Sequence, residues 1–223
     1  MDQKPNGTSA TIDILVVAAS LRSASLNRKL ASLAADVADA NDNMRVHRVD
    51  YADFDCPAYD QDAQDSAGIP SGAEAFRDRL TAADGLILAS PEYNFSMPGG
   101  LKNIVDWTSR YRPHPFTGKH VLLMSASPSM AGGNRGLWAL RVPFEHLGSR
   151  VYPEMFSLAQ AMRAFDDDGQ LADPKLRGFF HDNVNGFLDL VEAATHYPCA
   201  KRRWIEFLGE QPSAVTEQAA PAN

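Results

Sequence analysis

Only two cysteines occur among the 223 residues, Cys56 and Cys199, far apart and without the spacing of metal ligands. A disulfide scaffold is thereby excluded, and two free thiols in a reducing compartment are expected. Positive charge is also in deficit: the formal charge is -7, which argues against a surface for nucleic acid or for an acidic membrane. The local run Lys201, Arg202 and Arg203 reads as a solvated helix face. No apolar run is long enough to cross a bilayer, since the best, "IDILVVAA", covers only residues 12–19. The opening "MDQKPNGTSAT" lacks the basic-then-apolar order of a secretory signal, so a cytoplasmic protein that engages neither membrane nor nucleic acid is expected. Metal-ligand spacing is missing from His47, His114, His120, His146, His181 and His196, and "DDDG" (166–169) lacks the downstream carboxylate register of a calcium loop. Met124, Met130 and Met162 read as packing residues.

What is present is an alternation of short apolar runs with helical patterns. The runs are Ile12–Ala18, Met44–Val49, Gly85–Ala89, His120–Met124 and Arg150–Phe156. Several are apolar at consecutive positions, as in parallel strands covered by helices on both faces. Met44–Val49 is more polar and is assigned to an edge. Helices are predicted at about 25–40, 71–83, 98–111, 133–147 and 175–196, with a short piece near 201–208. Five βα units joined by right-handed crossovers give an α/β fold, and the chosen solution is a flavodoxin-like three-layer arrangement with a five-stranded parallel sheet of order 2-1-3-4-5. The dinucleotide-binding version loses ground because no Gly-x-Gly-x-x-Gly follows the first strand. Residues 1–11 and 209–223 carry no apolar periodicity and are expected to be flexible, leaving 12–208 as the domain.

In such a sheet ligands sit beyond the carboxyl ends of the strands, which singles out three loops: "ASLRSASLN" (19–27), "SPEYNFSMPGG" (90–100) and "SASPSMAGG" (125–133). The first offers hydroxyls of Ser20, Ser23 and Ser25, the cation of Arg22, the amide of Asn27 and the N–H groups of an incipient helix. A phosphate monoester dianion matches that inventory. The alternative is that Ser25 only caps the helix while Arg22 lies in solvent. In the second loop Pro91 ends the strand sharply, Glu92, Tyr93, Asn94 and Phe95 form an exposed segment, and Pro98 starts the next helix. Leu101, Ile104, Val105 and Thr108 share that helix's apolar stripe, with Trp107 at its edge, either finishing the core or entering a subunit interface. Ser125 and Ser127 of the third loop suit polar contacts to the edge of a flat heterocycle.

"SLRSASLN" (20–27) and "PEYNFSMPGGLKNIVDW" (91–107) closely resemble signature segments of the NAD(P)H-dependent FMN reductases, in the branch containing bacterial quinone and chromate reductases. "CPAYDQDAQ" (56–64) is similar to that family's loop after strand two, and "SASPSMAGG" to its third flavin loop, so the resemblance spans about residues 12–157. It implies non-covalent FMN on a flavodoxin-like fold, NADPH or NADH as co-substrate, and homodimers or homotetramers. By motif position Ser20, Leu21, Arg22, Ser25, Leu26 and Asn27 would take the phosphate, Pro91, Glu92, Tyr93 and Asn94 would line the ribityl chain and ring, and Ser127 would approach the ring's polar edge. Ala19 and Ser129 stand where the family commonly has glycine. Hydride would pass from the nicotinamide through the flavin to a small-molecule acceptor such as a quinone, free flavin, azo compound or chromate, with no obligatory catalytic side chain. Two rivals remain open, a flavodoxin-type electron carrier and a non-enzymatic flavin-responsive module.

Overall fold

The computed structural model describes residues 11–196, so the helix expected near 201–208, both terminal segments and Cys199 lie outside the described residues. Strand β1 (Ile12–Ala18) leads to helix α1 (Leu26–Asp39), β2 (Met44–Val49), α2 (Gln61–Ala67), α3 (Ser71–Ala82), β3 (Gly85–Ala89), α4 (Gly99–Thr108), β4 (His120–Ala126), α5 (Asn134–His146), β5 (Arg150–Val151), β6 (Phe156–Leu158) and α6 (Pro174–His196). All sheet pairings are parallel, in the order β2-β1-β3-β4-β5, with β6 also beside β4. The order expected from the alternation of elements is the one observed.

The physical cause is visible strand by strand. β3 and β4 are buried at every position, because helices cover both faces of the sheet centre. Fully buried Leu86, Leu88, Leu122 and Leu123 each contribute roughly 1.5–3 kcal/mol relative to exposure. β2, at the edge, is half-buried, as its polar composition requires. One cluster of core residues lies between the sheet, α1 and α6, and the other lies between the sheet, α3, α4 and α5.

One expectation needs correction. The run 150–156 is not one strand: β5 pairs with His120 and Val121, β6 pairs with Met124 to Ala126, and Tyr152 to Met155 bulge between them. Pro153 has no N–H to give a ladder at that place, so pairing stops and resumes beyond it. Of the two places left open for Trp107, it takes the core: it is 1% exposed, its Nε1–H donating to Pro57 O at 2.9 Å and its ring edge-on to Tyr59. Asn103 joins this clasp, donating to Pro57 O and accepting from Tyr59 N, both at 2.8 Å. The "CPAYDQDAQ" segment is thus pinned to α4. Among the described residues no helix is long and apolar enough to cross a membrane.

Candidate functional site

The chain leaves β1 through Ala19, whose N–H donates to Ala89 O at 2.8 Å, and Ser25 then caps α1 by accepting from Arg28 N at 3.3 Å. Neither Ala19 nor Ser129 adopts a left-handed backbone, so neither position demands the conformational freedom of glycine. Between them, Leu21, Arg22, Ser23 and Ala24 have no hydrogen-bond or ion-pair partner among the described residues. The first-turn N–H groups of Leu26 and Asn27 face no intrahelical carbonyl, as at any helix start. Loop 19–27 therefore presents unsatisfied donors and a lone cation together.

Its shape is held by two residues. Asn27, 4% exposed, donates to Ala126 O at 3.1 Å and accepts from Ala126 N at 2.9 Å, tying α1 to the end of β4. Its amide, expected to face a phosphate, is committed to the backbone. Arg28 donates through Nε to Ser20 O at 3.1 Å and pairs with Asp50 at 2.9 Å, which binds the loop to the end of β2.

After β3, Tyr93 and Ser96 exchange backbone hydrogen bonds of 2.9 and 3.0 Å around Asn94 (φ 50°) and Phe95 (φ 67°). Two successive positive φ values make this a tight hairpin turn of the primed kind. Asparagine tolerates that conformation; phenylalanine does not, at a cost of about 1–2 kcal/mol. A compensating contact is present, since the Arg135 guanidinium stacks 3.5 Å from the Phe95 ring centre. Arg135 is in turn paired at 2.5 Å with Glu92, which also accepts from the N–H groups of Arg135 and Gly136 at the start of α5. Burial raises the Glu92 carboxyl, but the guanidinium and the two amides outweigh it and hold the group below the usual carboxylate range. The Glu92 carboxylate thus anchors this turn to α5 and stays charged.

The third loop is sewn to the segment after β6. Ser127 N donates to Leu158 O at 3.0 Å, Ala161 N to Ser127 O at 3.0 Å, and Gln160 N to Ser129 O at 3.1 Å. Gly133 (φ 84°) is required twice over, by its backbone angle and because a β-carbon there would overlap Ser125 Oγ.

These loops enclose one cleft of about 410 Å³, within the range of small-molecule sites. Ser20, Arg22, Ser25, Leu26, Asn27, Pro91, Glu92, Tyr93 and Ser127, all expected, line it. Leu21 and Asn94, also expected, do not: Leu21 is 69% exposed and Asn94 sits at the tip of its turn. Lys29, Met162 and Phe165 line the cleft without having been foreseen. Met162, read as a packing residue, is 70% exposed here. Lys29 was findable as the fourth residue after the Ser25 cap, on the same helix face, while Met162 and Phe165 arrive only through packing of the segment after β6.

A family model for NADPH-dependent FMN reductase matches residues 12–163, which take in all three loops. The chain belongs to that family. Quinone reductase of Escherichia coli K12 is 38% identical over 133 residues, covering 60% of this chain and 69% of that one. An NAD(P)H-dependent FMN reductase of Pseudomonas aeruginosa is 36% identical over 168 residues, covering 74% and 88%. Among solved structures, the flavoenzyme NAD(P)H:(acceptor) oxidoreductase FerB of Paracoccus denitrificans superposes with a TM-score of 0.69 at 28% identity, over 82% of this chain and 98% of that one. Flavodoxin 1 of Bacillus cereus shares the fold, with a TM-score of 0.52 at 13% identity. Family membership makes FMN the group against which the cleft is judged, and the donor set fits. A free cation, hydroxyls and unpaired amides sit at one end, and Tyr93, Pro91 and Ser127 sit at the other loops.

Proposed function

We propose that this protein is an FMN-dependent oxidoreductase that takes hydride from NADPH or NADH and delivers it to quinones, flavins, azo compounds or oxyanions such as chromate. Bound FMN supplies the two-electron chemistry. The chain's own residues supply binding and orientation. Arg22, Ser20, Ser25 and the N–H groups of Leu21 to Asn27 take the phosphate; Pro91 and Tyr93 border the ribityl chain and ring; Ser127 meets the polar edge. The observation that carries this reading is that Arg22, without a partner among the described residues, and the first-turn amides of Leu26 and Asn27 sit at the cleft that the loops of all three central strands share. Hydrogen bonds involving charged groups contribute roughly 1.5–3 kcal/mol each, against roughly 0.3–1 kcal/mol from a helix terminus, so the side chains dominate phosphate affinity.

Glu92 acts at one remove in this scheme. Its carboxylate faces α5 and keeps the Tyr93–Ser96 turn in place, so Tyr93 rather than Glu92 makes the direct contact. Self-association into a homodimer or homotetramer is part of the reading. It is supported by Trp138 and Val142, 56% and 70% exposed one turn apart on α5, and by the 70% exposed Phe95. A cytoplasmic location follows from the co-substrate, an intracellular reductant.

Anaerobic titration of the FMN-loaded protein with NADPH or NADH tests the whole reading. Loss of the yellow absorbance at one reductant per flavin is expected, with a sedimenting mass at a multiple of 24.3 kDa. A protein that holds FMN but is not reduced by either nucleotide would instead be an electron carrier.

A further inference from the structure

We infer that Lys29 is a second phosphate-binding cation, and that Arg22 and Lys29 together make the cleft selective for a dianionic flavin phosphate over an uncharged flavin. The inference rests on the flavin reading above. Three charged residues line the cleft: Arg22, Lys29 and Glu92. Glu92 is neutralised by Arg135 at 2.5 Å. Arg28, close by, is spent on Asp50 and on Ser20 O. Neither Arg22 nor Lys29 has a carboxylate partner among the described residues, which leaves two uncompensated positive charges on one cleft. A phosphate monoester carries close to two negative charges at neutral pH. One arginine leaves half of that unmatched.

Geometry makes the lysine available. Lys29 lies four residues after the Ser25 cap, one turn into α1, and a helical side chain leans toward the N-terminus, here toward loop 19–27. Its ammonium group rests 5.6 Å from the centre of the Phe165 ring, an electrostatic contact weak enough to give way to a dianion. Its flexible stem allows that swing at little cost, whereas Arg28, fixed at two places, cannot follow.

The test is fluorescence titration of apoprotein with FMN and with riboflavin, for wild type, Lys29→Gln and Lys29→Arg. Lys29→Gln should weaken FMN by about tenfold and leave riboflavin unchanged, because only the charge-assisted contact is lost. Lys29→Arg should stay within about twofold of wild type, and added salt should erase much of the difference. Equal FMN affinity for wild type and Lys29→Gln overturns the inference while the flavin reading stands. Parallel weakening of FMN and riboflavin also overturns it, since Lys29 would then be bracing Phe165 and not binding phosphate. A wild type that binds neither flavin removes the reading and the inference together.

Discussion

Arg22→Ala is expected to raise the FMN dissociation constant by about 10- to 100-fold, the loss of a charged, two-pronged contact worth roughly 1.5–3 kcal/mol. The side chain is exposed and has no partner among the described residues, so its removal costs the fold nothing measurable. Riboflavin, which lacks the phosphate, should bind the variant as it binds wild type. The Michaelis constant for NADPH should also hold once the enzyme is saturated with FMN, because Arg22 is assigned to the flavin tail alone. Lysine at this position should recover part of the affinity, as a point charge without the planar fork. An unchanged dissociation constant for FMN would reject the assignment of loop 19–27 to phosphate.

Asn27→Ala is expected to destabilise the protein by about 2–5 kcal/mol. Asn27 exchanges both an N–H and a C=O with Ala126 across 99 positions of sequence, in a buried setting. Alanine leaves the buried N–H and C=O of Ala126 without partners, each at about 1–3 kcal/mol. Because a domain is stable by only about 5–15 kcal/mol, this is a large fraction of the whole. Urea denaturation checks it: the midpoint should fall while the slope is retained. Flavin affinity should fall as well, since α1 would no longer hold loop 19–27 against the end of β4. Asn27→Asp separates the two bonds, keeping an acceptor for Ala126 N while setting a carboxylate against Ala126 O. It should be destabilising too. A shift below about 0.5 kcal/mol for alanine would show that the bond carries no net stability, as for an ordinary surface site.

These two residues mark how far the sequence is legible. The strands could be read because a sheet covered on both faces leaves consecutive apolar residues in β3 and, over residues 121–124, in β4, and their alternation with helices limits the order of the sheet. The loops could be read because that order sends the ends of β1, β3 and β4 to one edge. Arg22 has no partner among the described residues, so its character is legible in the sequence alone. The contacts that Asn27 and Glu92 make within the chain are not legible, because their partners, Ala126 and Arg135, are brought to them only by the fold. Helix α2 escaped notice for a different reason. It buries no residue and so carries no apolar period, though Asp60, which caps it through Asp62 N at 2.8 Å, was its one local mark. The split between β5 and β6 was signalled by Pro153, which the run of apolar neighbours masked. Lys29 and Phe165 stand between these cases, one on a readable helix face and the other delivered by the turn after β6.

The central claim is that the phosphate of FMN lies between Arg22 and the start of α1. A crystal structure of the protein grown with FMN tests it most directly. The expected map places phosphate oxygens within hydrogen-bond range of the Arg22 guanidinium, Ser25 Oγ and the first free amides of α1, with the ring beside Tyr93. A flavin whose phosphate points away from loop 19–27, or a cleft holding no flavin at saturating FMN, would contradict the account.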